Sequence, residues 1–289
     1  MTSSSGGSLH HADVGGGTTS GDDAVPVIGY SERGVLNSLL YEISNSREST
    51  RLFRALLSRV TFPARSEQSR FQSAFVKNVL VEQSLSDFGD ADCVLLLENA
   101  GRKQTVFVEA KVSTLRPPAH YVDSEFRRFT SKMKTKLGSS ILFTQLYYKM
   151  RLADALKVPN GMQAIQAGVE FPRCLGKRGT RRRKIGKNHV VLRAAQLIKN
   201  HLDDAFFVAI VPFGKRDDDK TISDFFANEF VKYPCPLEGW ADGLRNWGYL
   251  AWNQVKSFCE EEKLDMTCNV LRFNDGQISS DLNTGDAEE

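Results

Sequence analysis

Apolar and polar positions change period several times along the chain, and the changes outline a mixed α/β protein. From Ser31, placed as an N-cap, Val35, Leu36, Leu39, Leu40 and Ile43 recur at helical spacing. A second helix fits about 49–60, and a third begins near Ser66 and runs to about Phe75. Three strand-like runs follow, at about 77–84, 92–98 and 104–113. A polar, basic connection leads to a helix over about 139–156. Another helix fits 189–203, and FFVAIVP at 206–212 reads as a further strand. Residues 221–265, rich in Phe and Trp, read as mostly helical. Helix, three consecutive strands, helix and a later strand imply a mixed central sheet with an antiparallel meander flanked by helices.

The ends carry no such pattern. Residues 1–25 are rich in Gly, Ser and Thr and are expected to be disordered, and the acidic stretch 276–289 is expected to fray. Between them lie a domain over 26–215 and a helical C-terminal elaboration of it over 216–275. The start of the chain lacks the basic and apolar segments of a secretory signal. No apolar run approaches the roughly 18–20 residues that span a bilayer. The expectation is a cytoplasmic protein without a membrane partner. Five dispersed cysteines with no C-x-x-C pair argue against a disulfide framework or a zinc site. His120, His189 and His201 lack metal-ligand spacing, and His10 and His11 lie in the N-terminal tail. The chain has no Walker A loop, G-x-S-x-G or H-E-x-x-H.

The candidate chemistry lies on the hairpin of the second and third strands. Asn99, Ala100, Gly101 and Arg102 supply turn residues between them. With Glu98 and Lys103 as the last pair before the loop, Asp92 falls opposite Glu109, and Lys111 shares the face of Glu109. Two carboxylates and an ammonium at one place suit phosphodiester hydrolysis. Mg²⁺ takes one or two carboxylates plus water and substrate phosphate, and a nearby lysine can orient water or stabilise developing charge. An acid-x-Lys tripeptide alone is weak, since Asp218–Lys220 and Glu261–Lys263 match it too. Only Glu109–Lys111 lies in an apolar strand with an acid opening the partner strand. The bland reading is a salt bridge at a sheet edge.

These residues resemble the PD-(D/E)XK nuclease superfamily, with Ala91-Asp92 and Glu109-Ala110-Lys111 as the motif and Ala91 in place of the usual proline. Asp90 is the rival for Asp92. The resemblance covers roughly 30–212 and implies a restriction-endonuclease-like core. It also implies a Mg²⁺ or Mn²⁺ ion held by Asp92, Glu109 and the main-chain oxygen of Ala110, with Lys111 supporting the reaction. Many members carry a glutamate on the first helix. Glu32 lies near the centre of the apolar stripe there, against a bland role in complementing the helix dipole. Glu42, about 90° off the stripe at 100° per residue, and Glu82 on the preceding strand are weaker candidates. Gln145-Leu146-Tyr147-Tyr148 resembles the helix motif of RecB-type members, which makes Gln145 a supporting site residue. The bland alternative is a core glutamine bonded to main chain.

Charge adds one further feature. The formal net charge is only +3, but residues 173–187 hold eight Lys and Arg and no acid. Lys177, Arg178, Arg181, Arg182, Arg183, Lys184 and Lys187 form a flexible cationic insertion suited to phosphate backbones. Arg127, Arg128, Lys132, Lys134 and Lys136 form a second basic group. The expectation is a metal-dependent nuclease acting on DNA. The alternative is a non-catalytic nucleic-acid-binding or interaction module on the same fold.

Overall fold

The computed structural model describes residues 31–62, 71–112, 121–133, 141–172, 180–212 and 244–278. The N-terminal tail and residues 279–289 of the acidic tail therefore lie outside the described residues, as does the 221–243 part of the region expected to be helical; residues 276–278 are described and end a short helix.

Two helices, α1 (Ser31–Asn45) and α2 (Ser49–Ser58), precede a meander of β1 (Ala74–Gln83), β2 (Ala91–Asn99) and β3 (Arg102–Ala110). After it come α3 (Tyr121–Met133), α4 (Leu142–Lys157), α5 (Gly161–Ala167) and a small hairpin of β4 (Val169–Pro172) and β5 (Thr180–Arg183). Then follow α6 (His189–Lys199), β6 (Asp204–Val211), β7 (Trp247–Ala251), α7 (Trp252–Glu261), α8 (Asp265–Phe273) and α9 (Asp275–Ile278). The central sheet has the order β1-β2-β3-β6-β7. The meander is antiparallel, and β3, β6 and β7 run parallel. The chain is thus α/β with a mixed five-stranded sheet covered by helices on both faces.

Alternation along the strands sorts the core. Cys93, Leu95, Leu97, Val106, Val108 and Ala110 face the layer of α1, α2, α7 and α8. Val94, Leu96 and Phe107 face the layer of α3, α4 and α6. Burial on both faces explains why these strands read as nearly continuous apolar runs. The register Glu98↔Lys103 to Cys93↔Val108 is the one anticipated from the turn. Ala100 and Gly101 both have positive φ, +50° and +79°, as a two-residue primed turn demands. That turn pins the register, and a one-residue slip would move every side chain to the other face.

Four expectations are corrected. No helix runs up to Phe75, because Ala74 already pairs with Asn99 as the start of β1; residues 63–70 lie outside the described set. Within the connection expected to be polar and basic lies α3, whose Val122, Phe126 and Phe129 are buried against α4 while its Arg127 and Arg128 face outward. The C-terminal region is not wholly helical: Trp247–Ala251 is a strand of the main sheet, buried throughout. Five residues buried on both sides show no period, so helix and strand cannot be told apart there. Finally, the cationic insertion, expected to be flexible, contributes the strand β5 over Thr180–Arg183, paired with β4; its residues 173–179 lie outside the described set.

Candidate active site

The two acids stand at the end of the sheet where the parallel strands β3 and β6 finish, a common location for ligand sites in such sheets. One residue beyond the pair Cys93↔Val108, Asp92, the second residue of β2, lies beside Glu109. Oδ2 of Asp92 accepts the main-chain N–H of Ala110 at 2.8 Å. By alternation Asp92 shares the face of Val94 and Leu96, and Glu109 that of Phe107, so both carboxylates face the α4 layer.

Glu109 is fully buried, and Nζ of Lys149 lies 2.7 Å from its Oε1. Among the described residues Oε2 has no hydrogen-bond partner, and Oε1 has the ion pair alone. Burial pushes the Glu109 carboxyl up to about 7, against the pull of Lys149; Asp92 adds to the rise and Lys111 opposes it. Asp92 is also raised, chiefly by burial, with Lys111 and the Ala110 N–H working the other way and Glu32 adding to the rise. Lys111 is half-buried and its charge acts on both acids. Its main chain is fixed at both ends: the N–H donates to Ile210 O at 2.8 Å, and the carbonyl accepts from Trp252 Nε1 at 2.7 Å.

Lys149 is the residue sequence reasoning missed. It sits on α4 one turn after Gln145, is fully buried, and also donates to the main-chain oxygen of Asp90 at 2.7 Å. The available clue was a lysine between Leu146 and Leu152 in a stripe that is otherwise apolar. Charged residues are almost never fully buried unless paired. Gly89, with φ +80°, lets the chain turn beside this ammonium, since a Cβ there would come within 3.3 Å of Nζ.

The other candidates divide clearly. Glu32 is half-buried and close enough for its charge to act on Asp92 and Tyr121. Oε1 of Gln145 is buried without a hydrogen-bond partner among the described residues. Asp90 has an exposed side chain and contributes only its carbonyl, which leaves Asp92 as the strand acid. Glu42 is structural: its carboxylate accepts the N–H groups of Met266 and Thr267 and caps α8. Glu82 is exposed and engages Asn37 and Arg33.

Of the basic insertion, Lys177 and Arg178 lie outside the described residues. Arg181, Arg182, Lys184 and Lys187 are exposed, with Arg182 3.5 Å from Glu170. Arg183 folds inward. Its guanidinium lies 3.7 Å from the Tyr148 ring centroid, donates to the Tyr148 hydroxyl at 2.6 Å and donates to Asp87 O. Asp87 and Lys184 exchange further hydrogen bonds, and Ser86 Oγ donates to Ile185 O. The hairpin is thus clasped to the turn Ser86–Phe88, which leads through Gly89 and Asp90 to Asp92. In the second basic group, Arg127 and Arg128 pair with Asp123 and Glu125 on their own helix. Lys134 and Lys136 lie outside the described residues.

Asp92 and Glu109 offer hard oxygen donors, and Oε2 of Glu109 has no partner among the described residues. This fits Mg²⁺ or Mn²⁺ completed by water and phosphate. No cluster of three or more His, Cys, Asp and Glu able to hold a metal exists among the described residues, so Glu32 does not add a third ligand here. No helix among them is long and apolar enough to cross a membrane. No family model matches this chain, and no curated protein or solved structure matches it significantly.

Proposed function

We propose that this chain is a Mg²⁺- or Mn²⁺-dependent nuclease that hydrolyses phosphodiester bonds in DNA, on a core of the PD-(D/E)XK type. The observation that carries the reading is the convergence of Asp92 and Glu109 on one face, with Oε2 of Glu109 buried and without a partner among the described residues and Lys111 beside both. A divalent ion bound there would supply Lewis acidity and a more acidic water. Asp92 and Glu109 would hold it. Lys111 would orient the attacking water or stabilise charge growing on the phosphate. The exposed cations of the β4–β5 hairpin would grip the backbone without reading sequence.

A second reading is a nucleic-acid-binding module without catalysis. It is favoured by the ion pair that already engages Glu109 and by the lack of a third ligating acid among the described residues. Incubating plasmid and oligonucleotide DNA with the wild type, Asp92→Ala and Lys111→Ala, with Mg²⁺ or Mn²⁺, separates the two. Cleavage by the wild type and its loss in both variants supports the nuclease. DNA binding without cleavage in either cation supports the module.

A further inference from the structure

A fully buried lysine in a helix core is costly unless its ammonium has a task. Nζ of Lys149 spans two groups from different elements, Oε1 of Glu109 on β3 and the carbonyl of Asp90 in the turn before β2. That turn delivers Asp92. One ammonium on α4 therefore ties β3 to the turn that leads into β2, at the end of the sheet where both acids lie. It also divides the work of the Glu109 carboxylate. Oε1 lies in the ion pair, whereas Oε2 has no partner among the described residues; neither makes a regular hydrogen bond there.

We infer that Lys149 is the positioning residue of the acidic site, holding Glu109 by one oxygen so that the other faces a single divalent ion, and holding the Gly89–Asp90 turn so that Asp92 meets it. This rests on the proposed metal site but assigns a residue that the motif reading leaves out. Lys149 does not touch substrate; it acts through Glu109 and Asp90. Simple charge repulsion and positioning predict opposite results. A buried ammonium repels a nearby dication, so its removal should tighten metal binding if charge alone matters. If it orients the ligand, its removal should weaken binding, as loss of groups that orient metal ligands typically does, by about 10–100-fold.

The test is Mn²⁺ titration of the full chain by calorimetry, comparing wild type, Glu109→Gln, Lys149→Met and Leu152→Ala. Leu152 is buried on the same helix and reports loss of packing without loss of the clamp. The expected result is one Mn²⁺ per wild-type chain, none in Glu109→Gln, affinity at least ~10-fold weaker in Lys149→Met, and unchanged affinity in Leu152→Ala. Equal or tighter binding by Lys149→Met overturns the inference and leaves the metal site standing. Equal weakening by Lys149→Met and Leu152→Ala also overturns it, since the effect would then be structural. Absence of Mn²⁺ binding by the wild type overturns the metal site and this inference together. If Lys149→Met does not fold, Lys149→Gln, which keeps a donor, decides by the same comparison.

Discussion

Nζ of Lys149 and Oε1 of Glu109 are 2.7 Å apart, and neither side chain reaches solvent. Removing one member of such a pair leaves an uncompensated buried group, at a cost of about 3–5 kcal/mol. Lys149→Met is expected to lose stability on that scale in urea unfolding at neutral pH. The double variant Lys149→Met/Glu109→Met should regain most of it, because two apolar side chains of similar volume leave nothing unpaired. A double variant no more stable than the single one would show that the pair is not the source of the loss.

The raised carboxyl of Glu109 sets a pH dependence. Its folded-state value, about 7, lies above the ordinary 4.5. Below the ordinary value the group is neutral in both states. Between the two values the folded protein keeps a proton that the unfolded chain releases. Stability from this group is therefore full below about pH 4.5 and is lost as pH rises through about 7. Thermal unfolding without divalent ions should show this decline in the wild type, and Glu109→Gln should lack that component. A divalent ion held by Glu109 would bind its deprotonated form, so Mn²⁺ affinity is expected to rise with pH across the same window. A pH-independent affinity would contradict a protonated Glu109.

Asp92→Asn keeps an acceptor for the Ala110 N–H but removes the charge. It is expected to fold, to lose Mn²⁺ binding and to cut DNA at least ~100-fold more slowly. Lys111→Met should slow cleavage comparably while leaving Mn²⁺ binding intact or tighter, since a cation next to both acids is lost. Loss of metal binding in Lys111→Met would mean that this lysine builds the site rather than serving the reaction.

Arginines of the basic hairpin should separate into two kinds. Arg183→Ala removes a ring contact and two hydrogen bonds and should lower stability by about 1–2 kcal/mol. Arg181→Ala/Arg182→Ala should leave stability nearly unchanged, weaken DNA binding and flatten its salt dependence by up to about two charges. Unchanged affinity would remove the hairpin from the interface.

The hairpin register was legible because Asn99, Ala100, Gly101 and Arg102 form a turn whose length leaves one pairing consistent with the apolar pattern. The same local logic placed Asp92 beside Glu109 and put Glu98 opposite Lys103. Lys149 was not legible, because nothing within α4 says which face meets the acids; its partners lie on β3 and in the turn before β2. The strand Trp247–Ala251 was hidden for another reason. With both faces buried its sequence has no period, and its pairing with Phe207–Val211 is visible only once the sheet is assembled. The inward turn of Arg183 among exposed neighbours depends likewise on Tyr148 and Phe171, which local charge counting ignores.

The indole of Trp252 that ties down the Lys111 carbonyl comes 141 residues later in the chain. Synthesis proceeds from the N-terminus, so the acids and the lysine are made long before the group that anchors them. Thr61 likewise waits for Tyr249, with which it exchanges two main-chain hydrogen bonds along the outer side of β7. A nascent chain therefore lacks the finished edge around Lys111 until the late segment leaves the ribosome, and a fragment trimmed before Trp247 would never acquire it.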